Sequence, residues 1–355
     1  MLLVRNCYYW MRPFFPVAFR KYLQRIVLRG WDSIPFPSWP VDLTTEKLIE
    51  GMWQLLLRSQ DLKELPFIWF WPEGQSSCCI MTHDVDTEAG REFCKTIIEI
   101  EKRYGITSAF GIVPEHRYTV PDEFLQQIRS NGCEICLHGL NHDGHLFSSQ
   151  AAFLESAEKI RAYAKKWGAV GFRSPIMYRN LSWLPALELS YDMSVPNVAH
   201  LDPQRGGCCT VMPYFIGDLV ELPVTTTQDY SLFHILQQRS LDLWKKQIAM
   251  IQERHGLINF IIHPDYVTEQ WSSHLYDALL GHLAELRSNA GVWIALPKEV
   301  AGWWRARREM RLIQQNGAWK ITGPQAERAR VAYAYLKDGR IEYRMDKSMA
   351  VAASE

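Results

Sequence analysis

Short, largely apolar runs recur along the chain and stop abruptly at charged or turn-forming residues: Cys78 to Thr82, Ser108 to Val113, Glu134 to Leu137, Ala169 to Phe172, Leu219 to Val224, Leu257 to Ile262 and Val292 to Leu296. Runs of this length without polar alternation predict strands buried on both faces. Amphipathic stretches lie between them. Arg91 to Tyr104 carries Phe93, Ile97, Ile100 and Tyr104 at helical spacing and stops at Gly105, Pro121 to Asn131 opens on proline and stops at Gly132, and Ala151 to Trp167 stops at Gly168. Further helices are predicted near Leu241 to Glu253 and His274 to Arg287. Seven or eight alternating β/α units result, which is the pattern of a sheet wrapped by helices in an α/β fold.

Chemistry gathers where the predicted strands end, the rim on which such folds collect functional groups. The first run leads into Thr82-His83-Asp84-Val85-Asp86. Residues two apart on an extended chain point the same way, so Asp84 and Asp86 enter one pocket. The run at Glu134 delivers His138-Gly139-Leu140-Asn141-His142, whose four-residue step lets both imidazoles reach one ion. Asp143 is a candidate to orient one of these rings from behind, and His145 is a spare ligand. Two further strand ends lead into Arg173-Ser174-Pro175 and His263-Pro264-Asp265. Singly, each motif has an ordinary explanation, since Asp at a strand end is commonly a turn or cap residue and HxxxH arises by chance. Their conjunction points to an open metal site of Asp and two His, with positions left for water and substrate.

From about residue 76 to about residue 300 the chain resembles the polysaccharide deacetylases, the NodB-homology group of metal-dependent carbohydrate esterases (carbohydrate esterase family 4). Thr82 to Asp86 resembles the family's first motif, His138 to His142 its second, Arg173-Ser174-Pro175 its third and Ile261-Ile262-His263 its last. The resemblance implies a distorted (β/α)7 barrel and an amidohydrolase that acts on linear amide C–N bonds, removing an acetyl or formyl group from an N-acylated sugar or glycan precursor, in surface polysaccharide biosynthesis. It implies Asp84 as general base, Arg173 as its ion-pair partner, His263 as general acid, and Asp86, His138 and His142 as ligands of a divalent metal. Zn2+ suits that ligand set best, with Co2+, Ni2+, Mn2+ or Fe2+ as alternatives. The two acidic residues are separated by Val85, as in a D-x-D branch of the family, and His83 stands where an aromatic is usual. The carboxylate tuning the acid histidine is Asp192 or Asp229, and Asp192 is the reading preferred here. Two rival readings fit parts of the pattern. Asp84-Val85-Asp86 could be the DxD of a glycosyltransferase, which leaves the histidines without a role, or the chain could be an inactive glycan-binding relative using Trp271, Tyr266 and Tyr178.

Composition narrows the partners. The chain has 355 residues, 47% of them hydrophobic, with 39 basic and 39 acidic residues, so no bulk charge favours nucleic acid. Cys7, Cys78, Cys79, Cys94, Cys133, Cys136, Cys208 and Cys209 do not read as a secreted disulfide framework, and several lie in apolar runs where thiols pack as small hydrophobes. Cys133 and Cys136 are expected on opposite faces of a strand. His116, His200, His234, His255, His274 and His282 read as surface or structural.

Three segments are expected: 1–75, an aromatic and basic helical extension with the Pro-rich connector Pro35 to Pro40 and a helix near Thr45 to Leu57; 76–303, the barrel; and 304–355, a basic helix-like run from Arg305 to Arg311 and a small β appendage with a hairpin, Ala329 to Met345, turning at Asp338-Gly339. Residues 1–30 offer neither a membrane span nor a signal-peptide core, so a cytoplasmic protein is expected, with 1–30 as a candidate contact to the inner face of the membrane.

Overall fold

A computed structural model describes Phe15 and residues 17–346. The candidate membrane segment and the end of the third segment therefore lie partly outside the described residues. None of the described helices is long and apolar enough to cross a membrane.

The central sheet runs through β2 (Ser77–Val85), β3 (Ala109–Ile112), β4 (Glu134–His138), β5 (Gly171–Arg173), β6 (Tyr191–Asp192) and β8 (Leu219–Glu221), all parallel, with β7 (Tyr214–Ile216) antiparallel on its outer edge. On its other edge β2 pairs with β9 (Leu257–Ile262), while β10 (Val292–Ile294) pairs with the start of β2. Helices α3 (Glu88–Arg103), α4 (Asp122–Ser130), α5 (Gln150–Trp167), α6 (Asp242–Gln252) and α7 (Gln270–Ala290) cover the outside. This curled, mostly parallel sheet is the distorted (β/α) barrel the sequence predicts. β6 is not followed by a helix before β8; a long loop fills that place, and there the barrel departs from regular β/α alternation.

The seam between the β8 side and β9 is closed by side chains. Pro223 cannot donate to a ladder. Instead the Thr225 hydroxyl donates to Leu257 O (2.7 Å), the Thr226 hydroxyl to Asn259 O (2.8 Å), and the Asn259 amide to Leu222 O and Pro223 O (3.0 and 3.1 Å).

Alternation on β2 sorts its residues into two cores. Cys79, Met81 and Val85 pack under the helices, whereas Cys78 and Ile80 join the barrel interior with Cys136, Tyr191, Met193, Val220 and Leu222. Cys133 and Cys136 fall into different cores, and the described cysteines are free. The interior is plugged below by Trp71, Trp303 and the start of α8 (Pro297–Glu309). There buried Glu134 accepts from Lys298 N (3.0 Å) and the Tyr191 hydroxyl (2.8 Å), and desolvation raises its pKa to about 7.

The flanks come together, which the sequence did not suggest. β1 (Glu64–Ile68), from the first segment, pairs antiparallel with β13 (Val331–Lys337) from the third, and β14 (Arg340–Met345) completes a three-stranded sheet. Asp338 and Gly339 both have positive φ, as a two-residue hairpin turn requires. α2 (Thr44–Ser59) packs on this sheet, and β11 (Arg311–Gln315) and β12 (Ala318–Thr322) form a separate ribbon. The basic run at Arg305 belongs to α8 only as far as Glu309, where β11 takes over. Arg307 is no surface cation: its guanidinium lies over Phe70 and Trp304 and donates to Ile68 O and Trp69 O.

Candidate active site

β2 runs three residues further than the apolar run suggests, so His83 and Asp84 lie within the strand and Asp86 follows its last residue. Thr82 and Asp84 occupy interior positions, and His83 points out beneath the helices. The His83 ring contacts Ile262 O (3.1 Å) and Glu101 (2.9 Å), and Glu101 also accepts from Ser108 and Tyr276 (2.7 and 2.8 Å). It is a structural residue that ties β2 and β9 to α3 and α7.

Asp86, His138 and His142 converge. Asp86 Oδ1 lies 3.2 Å from Nε2 of each histidine, and the three side chains offer ligand atoms within 4.8 Å of one another. Asp86 Oδ1 is buried and makes no hydrogen bond. Burial alone would raise its carboxyl, but the two imidazoles hold it well below the usual carboxylate range. His138 Nδ1 faces the carbonyl of Arg173 (3.2 Å), which can only accept, so Nε2 carries the lone pair. His142 sits at φ 53°, an uncommon region for a residue with a side chain, within the loop that turns the second imidazole back toward the first. An unpaired buried carboxylate oxygen facing two imidazole nitrogens is a donor set that fits a divalent cation.

Beside this group, Arg173 Nη1 lies 2.9 Å from Asp84 Oδ1 and donates also to Thr82 Oγ1 (2.7 Å), while its Nε donates to Met193 O (3.1 Å). Burial pushes the Asp84 carboxyl up, and the Arg173 guanidinium with the nearby imidazoles overcomes it, leaving the group below its ordinary value. Gly111, between Asp84 and His138 on the neighbouring strand, leaves the room these side chains occupy. A Cβ there would lie 3.1 Å from Asp84 Oδ1 and 3.3 Å from His138 Cβ.

On the other side, His263 Nε2 faces Asp86 Oδ2 at 3.9 Å, and its Nδ1 meets Asp229 Oδ1 at 2.7 Å. Asp229 Oδ2 also accepts from the His263 backbone N–H (2.7 Å). Desolvation opposes protonation of this ring, but the Asp229 carboxylate, helped by Asp86 and Asp84, raises its pKa to about 10.

The structure corrects two readings. The carboxylate on His263 is Asp229, not Asp192: Asp192 lies at the end of β6, accepts from the Ser194 hydroxyl (2.6 Å) and pairs with buried Glu221, whose carboxyl is pushed well up by desolvation and by its acidic neighbour. Asp143 does not orient a ligand ring, since its Oδ1 caps His145 N (2.8 Å). His145 is exposed and outside the ligand cluster. Sequence reasoning passed over Asp202, buried in a small cavity lined also by Trp39, Met177, Gln228 and Ile261 next to the site; it accepts from Gln228 (2.8 Å) and desolvation raises its pKa to about 6. Its only sequence signal was an acid within an otherwise weakly polar loop.

No protein-family profile matches the chain, and no curated protein matches it by sequence. Solved structures do. A Mycobacterium smegmatis protein assigned as a polysaccharide deacetylase aligns over 68% of this chain and 94% of its own, at TM-score 0.56 and 18% identity. A Pseudomonas aeruginosa PAO1 protein with the same assignment covers 66% and 93%, at TM-score 0.50 and 14% identity. The PuuE allantoinase covers 66% and 92%, at TM-score 0.50 and 13% identity. At such identities the likeness is one of fold, and since an allantoinase shares it, the activity has to be argued from the side chains. The chain has the fold of the polysaccharide deacetylases.

Proposed function

We propose that this protein is a metal-dependent amidohydrolase that removes an acetyl or formyl group from an N-acylated sugar or glycan precursor, in the making of a surface polysaccharide. The observation that carries the reading is the unpaired Asp86 Oδ1 facing two imidazole nitrogens, flanked by an Arg-held carboxylate and an Asp-held histidine.

Asp86, His138 and His142 would hold the ion, with Zn2+ the best match to one carboxylate and two imidazoles and Co2+, Ni2+, Mn2+ or Fe2+ as alternatives. A divalent ion bound there would polarise the acyl carbonyl and acidify a water. Asp84 is the general base: the guanidinium of Arg173 keeps it ionised, and an ionised carboxylate can take a proton from the attacking water. His263 is the general acid. Asp229 fixes its ring with Nδ1 engaged, stabilises the imidazolium, and leaves Nε2–H to protonate the departing amine, which is a poor leaving group until it gains that proton. The division 1–75, 76–303 and 304–355 is kept as a description of the chain around this site, and a cytoplasmic location belongs to the same proposal.

The DxD glycosyltransferase reading gains nothing from this geometry, because His263, Asp229 and Arg173 have no task in it. The test is release of acetate or formate from a panel of N-acylated sugars and short glycans, with Zn2+ or Co2+ supplied. Product is expected from the intact chain and not from Asp86→Ala or His142→Ala. Full activity after chelation, or in either variant, overturns the proposal.

A further inference from the structure

Charge is unevenly spread along the chain. Residues 1–31 contain six cations, Arg5, Arg12, Arg20, Lys21, Arg25 and Arg29, and no acid, in a protein whose total is zero. Within this stretch α1 (Val17–Val27) turns large apolar side chains to solvent: Phe19 is 43% exposed, Tyr22 51% and Ile26 38%, all on one helical face. The opposite side is docked: Gln24 is hydrogen-bonded to Tyr230, and Leu28, just past the helix, is buried.

That docking point is close to the chemistry. Tyr230 follows Asp229, the partner of His263, and its ring lies 5.7 Å from Tyr266, which in turn lies 4.8 Å from His263. Further on, Trp31 packs against Trp39 at 4.7 Å, and Trp39 lines the cavity that Asp202, Met177 and Ile261 share beside the site. The exposed apolar and cationic helix is thus continuous with the rim of the active site.

We propose that α1 docks on an anionic membrane surface, and that the substrate is an acylated glycan precursor carried by a lipid in that surface. A cation-rich helix with an aromatic and aliphatic outer face matches the boundary between anionic headgroups and acyl chains, where apolar burial and charge attraction add. The substrate half of this inference rests on the hydrolase reading, and the docking half does not.

Flotation with phosphatidylcholine vesicles containing about one-third phosphatidylglycerol tests docking without turnover. The intact chain and Asp86→Ala are expected to float equally. Bound fraction should fall roughly tenfold or more in the triple variant Phe19→Ser, Tyr22→Ser, Ile26→Ser, and fall also on raising salt or omitting phosphatidylglycerol. The same triple variant should hydrolyse a free N-acetylated hexosamine as the intact chain does, and lose its advantage on that sugar coupled to an alkyl chain in the vesicles. No flotation, or flotation unaffected by the α1 substitutions but abolished by Leu48→Ser, Met52→Ser and Leu55→Ser on α2, overturns the docking proposal. A concentration-dependent dimer broken by the α1 substitutions, with no vesicle binding, would assign the face to a second copy and overturn it as well. Flotation with no hydrolysis of either sugar would overturn the hydrolase reading and leave docking standing.

Discussion

Glu134 and His138 stand at opposite ends of one five-residue strand, and the lower one offers a sharp test of how the barrel is held. The Glu134 carboxyl is buried beneath the interior, where it accepts from Lys298 N at the start of α8 and from the Tyr191 hydroxyl. Its pKa is raised from the ordinary 4.5 to about 7, with desolvation the largest cause. Because the folded value exceeds the unfolded one, the favourable contribution of the protonated form is complete below about pH 4.5 and is lost as pH rises through about 7. From pH 5 to pH 8 this linkage removes about 2–3 kcal/mol of stability. Glu134→Gln is neutral throughout, still accepts from Lys298 N, and can donate its amide to Tyr191. Urea unfolding of both proteins at pH 5 and pH 8 should show the variant gaining on the parent by about that amount at the higher pH. A difference between the two proteins that stays constant within about 0.5 kcal/mol across the window would refute the assignment of a buried, proton-holding carboxyl.

Four further outcomes follow from the site. Arg173→Met strands the buried Asp84 carboxylate and should cost about 3–5 kcal/mol in urea unfolding, with much of that regained in the double variant with Asp84→Asn; a double variant as unstable as the summed singles would deny the pairing. Asp229→Asn should lower kcat by about 10²–10⁴ with little change in KM, read from initial rates on an N-acylated sugar. Gly111→Ala pushes on Asp84 and His138 and should cut kcat by roughly 10² while leaving the melting temperature within a few degrees, checked by rates and calorimetry. Zn2+ at about 100 times its Kd should stabilise the intact chain by about 2.7 kcal/mol in thermal unfolding and leave His142→Ala unmoved.

Much of the fold was legible because parallel, doubly buried strands announce themselves as unbroken apolar runs, and all seven runs lie on strands of the sheet within three residues of the expected bounds. β7 was missed: Tyr214-Phe215-Ile216 is a short run on an outer edge, half-buried and without boundaries of its own. β1 was missed for a different reason. Its partner lies at the other end of the chain, Pro66 interrupts its pattern, and no local signal encodes a pairing of Glu64 with Tyr335. Within the site, Asp86, His138 and His142 could be grouped because Asp86 and His138 follow predicted strands and His142 lies one four-residue step beyond His138. Asp229 could not be ranked above Asp192 on that basis. Asp192 ends a strand, whereas Asp229 follows the loop of Thr225 to Thr227 that closes the barrel, and only the folded seam carries it to His263.

The sheet built from both flanks bears on the order in which the molecule can be completed. During synthesis β1 leaves the ribosome long before its partner, since the residues opposite Glu64 to Ile68 emerge roughly 270 positions later, a wait of about a quarter of a minute to a minute at ordinary elongation rates. The barrel and the rim that carries the candidate site can assemble in that interval, while an early strand stays unpaired with Phe67 and its neighbours uncovered. The hairpin of β13 and β14 then acts as a clasp, and a chain stopped short of it would carry a finished site on a body with one open, adhesive edge.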